Sequence, residues 1–439
     1  MFDGRRLFVG AAAAILCYQL ILPPVVGLAD NGDFVKVLGR FDLYGKVYRT
    51  YQFIDTVYEF HHERHWVSAF YSSEIVLAGA ALGVNSLLSK DGNFDIRCIG
   101  IVHAALFLLA LWLFAPLLGN APHWPRIFVF ALILLMYCDV MYVSGLNSFY
   151  MDEPAYLFLL LSAVLYLRFV AWNRKQDLIL LFICVLFLAT AKVQHAVLGF
   201  VFAALLYRAR AMAAGIVLIS VLMLWKASPA DYAGYSLYNV IFVRILPHAS
   251  NVDNTLKSLG LDDSYRALIG KNAYEPESHP GDLVFRKEFD RRVSAPKLAM
   301  FYALHPVLAY KTLCDSLDEA GRQSMGGNFD MSAGYGPMAE SKAFAYWSNL
   351  KRVLFFQHGQ RFLFTFVALS AVLGALSWLR RSVAGFVLIG AAFIELGVSS
   401  MFDAADVARH HLVFFALFDA MLIATAILLL GARYSRPWR

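Results

Sequence analysis

The chain has 439 residues, of which 59% are hydrophobic and only 16% charged, far more apolar material than one soluble core needs. It reads as a multi-pass membrane protein. The formal charge of +6 is modest and sorted along the chain rather than gathered into one basic patch, which argues against a nucleic-acid partner.

A first apolar run near 7–29 ends in "PPVVGLADNGDF", bringing Asp30 and Asp33 to the lip of a hydrophobic segment. Three readings compete: a signal-peptide cleavage site, the cap of an interfacial helix, and a catalytic carboxylate at the membrane surface. The stripe Phe34, Val37, Leu38 and Phe41 supports the interfacial helix, with Asp30 or Asn31 as N-cap and Asp33 in the first turn. Further on, "YEFHHERHW" sets His61 and His65 four apart, as zinc sites do, but the sequence identifies no third or fourth ligand. "IVLAGAALGVNSLL" (75–88) is too short to span and is expected to lie on, or dip into, the outer leaflet.

Crossing runs follow near 95–118, 127–146, 154–171, 178–191, 195–207 and 211–226, then near 361–379, 383–401 and 411–431. With the first run they predict ten spans. Arg5/Arg6, Arg126, Arg174/Lys175, Arg208/Arg210, Arg380/Arg381 and Arg433/Arg436/Arg439 then fall on one side, which the positive-inside rule makes the cytoplasm, with both termini inside. The segment around "AKVQH" has basic residues at both ends and is expected to be a tight hairpin of two short helices. An all-α polytopic fold follows, with seven spans in 1–226 (outer loop 30–94), a mostly helical outer domain at 227–360 and three spans in 361–439. Within that domain "APKLAMFYALHPVLAYKTLCDSL" suits an interfacial helix, and "EPESHPGD" and "MGGNFDMSAGYGPM" read as loops.

Of the five cysteines, Cys17, Cys98, Cys138 and Cys184 fall in apolar runs and Cys314 in a long loop, so no disulfide framework or thiolate metal site is spelled out. The lack of any Asn-x-Ser/Thr sequon favours a bacterial source.

Charge inside a bilayer costs roughly 2.5–3.5 kcal/mol per residue, so His103, Asp139, Glu395 and Asp419 each ask for a reason. All four fall in the outer half of their spans, which describes a polar vestibule rather than a transporter's midplane pathway. In "SGLNSFYMDEP", Asn147, Asp152 and Glu153 offer oxygen ligands to a divalent cation or contacts to an acceptor; alternatively the two acids simply begin the helix at Pro154. Lys192, Gln194 and His195 at the hairpin tip suit an anionic lipid headgroup, or Lys192 a snorkelling anchor. "DAADVARHHLVFF" sets Asp403, Asp406, Arg409, His410 and His411 before the last span, where Arg409 is suited to clamp phosphate oxygens. Neither a glycine-rich phosphate loop nor a Ser/His/Asp arrangement is present, and the cytoplasmic loops are too short for a nucleotide-sugar domain.

A first span followed at once by an acidic motif, a later long outer domain and about ten spans resemble the GT-C glycosyltransferases. More narrowly, "NGDF", "GLNSFYMDEP", "ATAKVQH", "YNVIFVRILPHASNVDNTLKSLGL" and "DAADVARHHLVFF" look like the WsfD-like hexosyltransferases of bacterial surface-glycan clusters, with Val193 standing where that pattern has proline. The resemblance implies an enzyme of the bacterial inner membrane with an extracytoplasmic active site. It would move a hexose from a polyprenyl-phosphate carrier to a glycan, lipid or protein acceptor, with inversion. Asp33 is then the general base and Asp30 the second match, while Lys192, Arg409 and His410 hold the lipid phosphate. Asp33, Asp152 and Glu153 are the candidate ligands of a divalent cation, Mg or Mn, should one take part. A lipid-linked glycan flippase or transporter is the alternative, and a non-enzymatic scaffold a third reading.

Overall fold

Prolines decide how the first apolar run leaves the bundle. The computed structural model describes residues 4–45, 52–61, 70–229, 232–275, 278, 282–322, 326–355 and 358–430. Helix α1 (Gly4–Leu20) stops just before Pro23 and Pro24, which lack the N–H a helix needs and disfavour helical backbone before them. The run expected to span 7–29 is therefore helical only to Leu20, and continues extended through β1 (Val26–Gly27) to the single turn α2 (Val35–Leu38). Next come β2 (Leu43–Gly45), β3 (Val57–Phe60), α3 (Glu74–Leu88) and β4 (Asn93–Asp95). His65, the arginines expected at 433, 436 and 439, and most of "EPESHPGD" lie outside the described residues.

The bundle follows as α4 (Arg97–Phe114), α5 (His123–Tyr137), α6 (Val140–Val143), α7 (Asp152–Trp172), α8 (Lys175–Ala189), α9 (Ala196–Ala203) and α10 (Arg210–Lys226). A second group is α11 (Tyr232–Asn239), a π-helical Val240–Ile245, α12 (Val252–Ser258), α13 (Leu283–Arg292), α14 (Ala295–Leu304) and α15 (Pro306–Arg322). The chain closes with β5 (Asn328–Phe329), α16 (Tyr346–Phe355), α17 (Gly359–Arg380), α18 (Val383–Met401), α19 (Val407–His410) and α20 (Leu412–Leu429).

Among the described residues five helices are long and apolar enough to cross a membrane: Arg97–Leu118, Asp152–Trp172, Gly359–Arg380, Val383–Met401 and Leu412–Leu429. The pair His123–Tyr137 and Val140–Leu146 makes a sixth span if counted as one, bent by 56°. The bend falls at Asp139, whose carboxylate accepts from Met141 N at 3.0 Å and so starts a new helix rather than continuing the old. The other four of the ten expected spans are shorter: α1 and α10 have 17 residues, α8 has 15 and α9 eight. Helices α8 and α9 meet at residues 190–195 as a tight hairpin.

The fold is mostly helical, but two small antiparallel sheets depart from the all-α expectation: β2-β3-β4, and β1 with β5. In the second, Val26 pairs with Phe329 and Gly27 with Asn328, so part of the "MGGNFDMSAGYGPM" loop is a strand. Gly327 makes this possible. Its φ is +76°, and a Cβ there would lie 2.5 Å from the Val26 side chain and 2.6 Å from that of Ser144. The expected interfacial helix at 295–317 is two helices, broken at His305 because Pro306 has no N–H to donate. Aromatic residues Tyr238, Phe242, Tyr265 and Phe289 fill a separate core among the 232–304 helices, on which Met401 and Phe402 pack.

Three of the four ionisable groups expected within spans are fasteners. His103 Nε2 lies 3.2 Å from Glu74 Oε2 and its Nδ1 2.9 Å from the Leu146 carbonyl, tying α3 to α4. Asp139 accepts from the Trp347 and Ser348 N–H groups, both at 2.9 Å. Asp419 Oδ2 accepts from Lys351 Nζ at 3.0 Å, Trp347 Nε1 at 2.9 Å and Tyr142 OH at 2.5 Å, so α16 is pinned into the bundle at two points. Removing one partner of such a buried pair leaves an uncompensated charge. Lys351→Met is expected to destabilise the protein by about 3 kcal/mol. Adding Asp419→Leu should restore most of that loss, as read by denaturant unfolding in detergent.

Candidate active site

Four segments far apart in sequence meet at one end of the bundle: the loop after α1, the start of α7, the α8–α9 tip and the turn before α20. The first is held by short-range polar bonds. Asp30 Oδ1 accepts from the N–H groups of Gly32 (2.7 Å) and Phe34 (3.1 Å), and Asn31 Oδ1 accepts from Asp33 N at 3.0 Å. Tyr150 OH, within the "SGLNSFYMDEP" stretch, donates to the Ala29 carbonyl at 2.7 Å and accepts from Asn31 N at 3.1 Å. Asp30 Oδ1 is thus spent on its own backbone, while the Asp33 side chain faces the meeting point.

Arg409 stands at the centre. Its Nη2 donates to Asp33 Oδ2 at 3.0 Å, its Nη1 to Asp152 Oδ2 at 3.1 Å and its Nε to Asp406 Oδ2 at 2.7 Å. The guanidinium lies 4.2 Å from the centre of the Tyr150 ring, which fixes its plane. Lys192 Nζ donates to both oxygens of Asp152, at 2.9 and 3.1 Å, and Lys36 Nζ lies 2.5 Å from Asp33 Oδ1. His195 sits between Asp152 Oδ1 (3.1 Å from Nε2) and Glu395 Oε1 (2.9 Å from Nδ1). Gln194 Nε2 donates to Glu395 Oε1 and to the His410 carbonyl, both at 3.1 Å, so the hairpin tip is clipped to α18 and α19.

Burial grades across this cluster. Side chains of Asp152 and His195 are fully covered and Arg409 is 6% exposed, whereas Asp33 and Asp406 keep 22% and 20%. The covered groups form a floor and the two aspartates a rim that solvent can reach. Burial alone would raise the Asp33 pKa, but Arg409 and then Lys36 outweigh it and bring the carboxyl down to about 2. Asp30, without such pairing, is pushed up by burial. Burial, then Lys192 and Arg409, hold His410 well below the ordinary imidazole value. Since an arginine only donates, His410 Nε2, 3.3 Å from Arg409 Nη2, is the accepting nitrogen, and the Nδ1 proton faces Asp403 Oδ2 at 3.2 Å.

Of the residues expected from the sequence, Asp33, Asp152, Lys192, Gln194, His195, Arg409 and His410 come together here, with Asp30 beside them. Two do not. Asn147 spends its Nδ2 on the carbonyls of Leu20 (3.0 Å) and Val26 (2.9 Å), pinning the extended stretch after α1. Glu153 follows Asp152 on α7 and so points to another side of the helix; its buried carboxylate, without a hydrogen-bond partner among the described residues, lies against Gly145. Among the described residues no three His, Cys, Asp or Glu side chains converge as metal ligands, and Asp33 and Asp152 face cationic side chains instead.

Lys36 and Tyr150 were not singled out by the sequence reading. Lys36 carried a usable signal, since it stands one helical turn after Asp33.

The depressed Asp33 value gives a pH signature. A carboxylate whose folded pKa lies below its unfolded value of about 3.9 adds stability above that value and loses it as pH falls through the folded one. The stability gap between wild type and Asp33→Asn should therefore shrink between about pH 4 and about pH 2 in thermal unfolding. A gap that does not change with pH would contradict the pairing with Arg409 and Lys36.

No curated protein matches the chain, and no solved structure does. One protein-family model, described as the YfdI N-terminal transmembrane domain, matches residues 5–437. With its long apolar helices, the chain is a multi-pass membrane protein, and it belongs to the family of the YfdI N-terminal transmembrane domain.

Proposed function

We propose that this chain is a membrane glycosyltransferase of GT-C type. It moves a hexose from a polyprenyl-phosphate carrier to a glycan, lipid or protein acceptor, at the extracytoplasmic face of the bacterial inner membrane. The observation that carries this reading is the contact of Arg409 with Asp33. It sets a carboxylate suited to deprotonate a hydroxyl against a guanidinium suited to hold a phosphate. The family match and the resemblance to WsfD-like hexosyltransferases support the reaction class. The basic residues sorted to the opposite end of the spans support the orientation, with both termini in the cytoplasm.

In the resting arrangement every cation of the site already has a carboxylate partner. An incoming lipid phosphate competes for Arg409 and Lys192. As they turn to the phosphate, Asp33 loses the larger of the charges that hold its pKa at about 2 and keeps only Lys36, so its proton affinity rises, the direction a general base requires. The acceptor oxygen then bonds to the anomeric carbon, its proton passes to Asp33, and the bond from that carbon to the phosphate oxygen breaks. The electron pair leaves with the phosphate, whose charge Arg409 stabilises. Attack opposite the leaving group inverts the anomeric centre. Asp152, clamped by Lys192 and His195, holds Arg409 in place.

A flippase would need a polar route down the bundle. The half of the bundle away from Arg409 instead surrounds a cavity lined almost wholly by apolar side chains, which favours the transferase.

The test is transfer from radiolabelled polyprenyl-phosphate hexoses in membranes containing the full chain. Asp33→Asn should lower the rate at least about 100-fold, and Arg409→Lys, which loses the planar fork, should also fail to support transfer. Activity is expected to persist in excess chelator, because the carboxylates of the site converge on the Arg409 guanidinium and are already matched by it, Lys36 and Lys192. Equal transfer by wild type and Asp33→Asn would remove Asp33 from the mechanism.

A further inference from the structure

Away from Arg409 the helices part around an apolar cavity of about 190 Å³. Its wall is drawn from α4, α5, α7, α9, α17, α18 and α20. The α7 part of the lining runs from Leu159 to Leu167, roughly 10–22 Å along the helix from Asp152. This space is separate from the acid–base cluster. A void lined this way stays dry and takes an apolar guest in preference to water. Within a bilayer, the guest at hand is a lipid chain.

The edge of the cavity carries charge of one sign. Phe202 and Leu205 of the lining lead directly to exposed Tyr207 and Arg208, and Ser377 and Ser382 flank exposed Arg380 and Arg381. The 3₁₀ turn Ala204–Leu206 packs on α18, which brings the two turns to the same edge. Arg208 Nε donates only to Tyr207 OH, at 2.8 Å, and none of these three arginines has a carboxylate partner among the described residues. By contrast Arg168, at the same end, is paired with Asp177 at 3.0 Å. Trp378 and Leu379, each 77% exposed, supply the apolar and amphipathic surface of a residue pair seated at a lipid interface.

We propose that the cavity and its arginine edge form a binding site for one anionic glycerophospholipid. An acyl chain lies among Ala163, Ala384 and Ala424, and the headgroup phosphate rests on Arg208 and Arg381. The cation geometry sets the preference: exposed guanidiniums gain more from a headgroup of net negative charge than from a zwitterion, whose ammonium offsets the phosphate. The site is independent of glycosyl transfer and stands or falls without it.

The experiment is lipid titration of the purified full chain, followed by native mass spectrometry, with phosphatidylglycerol and phosphatidylcholine as separate probes. One phosphatidylglycerol per chain should be retained, with phosphatidylcholine held about fivefold more weakly for each arginine engaged. Arg208→Gln with Arg381→Gln should abolish that preference, and Ala424→Phe, which fills the cavity, should reduce retention of both lipids. The wild-type titration decides the matter even if the filled variant does not fold. Equal retention of the two lipids by wild type would overturn the proposal, as would displacement of phosphatidylglycerol by polyprenyl phosphate.

Discussion

A single buried guanidinium organises this molecule. Arg409 joins Asp33, which follows the first helix, to Asp152, which begins a central span, and to Asp406, which precedes the last. A charge placed that deep is tolerable only when its donors are spent on fixed acceptors, so each of the three segments must arrive in register for any of them to be comfortable. The hairpin tip adds the second cation on the same Asp152, and His195 carries the network on to Glu395. Local geometry in four loops is thereby slaved to one side chain.

Much of the site could be read from the sequence because its residues sit in short polar clusters that interrupt apolar runs. A carboxylate or lysine beside twenty apolar residues is conspicuous, and "NGDF", "AKVQH" and "DAADVARHH" were found that way. Which acid does what was less legible. Asp152 and Glu153 are neighbours in the same motif, yet a helix turns about 100° per residue and sends one to Arg409 and the other to Gly145. Asn147 stood out because of its company, and its Nδ2 is spent on backbone carbonyls. Hydropathy reports where chain can cross a membrane, not which side of a helix meets which neighbour.

The spans show the same division. Long apolar stretches at 97–118, 152–172 and 359–429 were visible as such. What the pattern did not expose were interruptions with local causes: the prolines after α1, the aspartate that restarts a helix at 139, and the proline that splits α14 from α15. Nor did it foresee β1 pairing with β5, since two-residue strands leave no alternation to detect.

That pairing and the Arg409 contact have a consequence for biogenesis. Asp33 and Arg409 are 376 residues apart in the chain, and Val26 meets Phe329 across a comparable interval. A chain emerging from the ribosome therefore carries its acidic loop for most of synthesis without the arginine that completes it, and closure of the site is among the last events of assembly. A product stopping short of Arg409 keeps Lys36 as a partner for Asp33 and Lys192 for Asp152, but lacks the guanidinium that joins the two pairs.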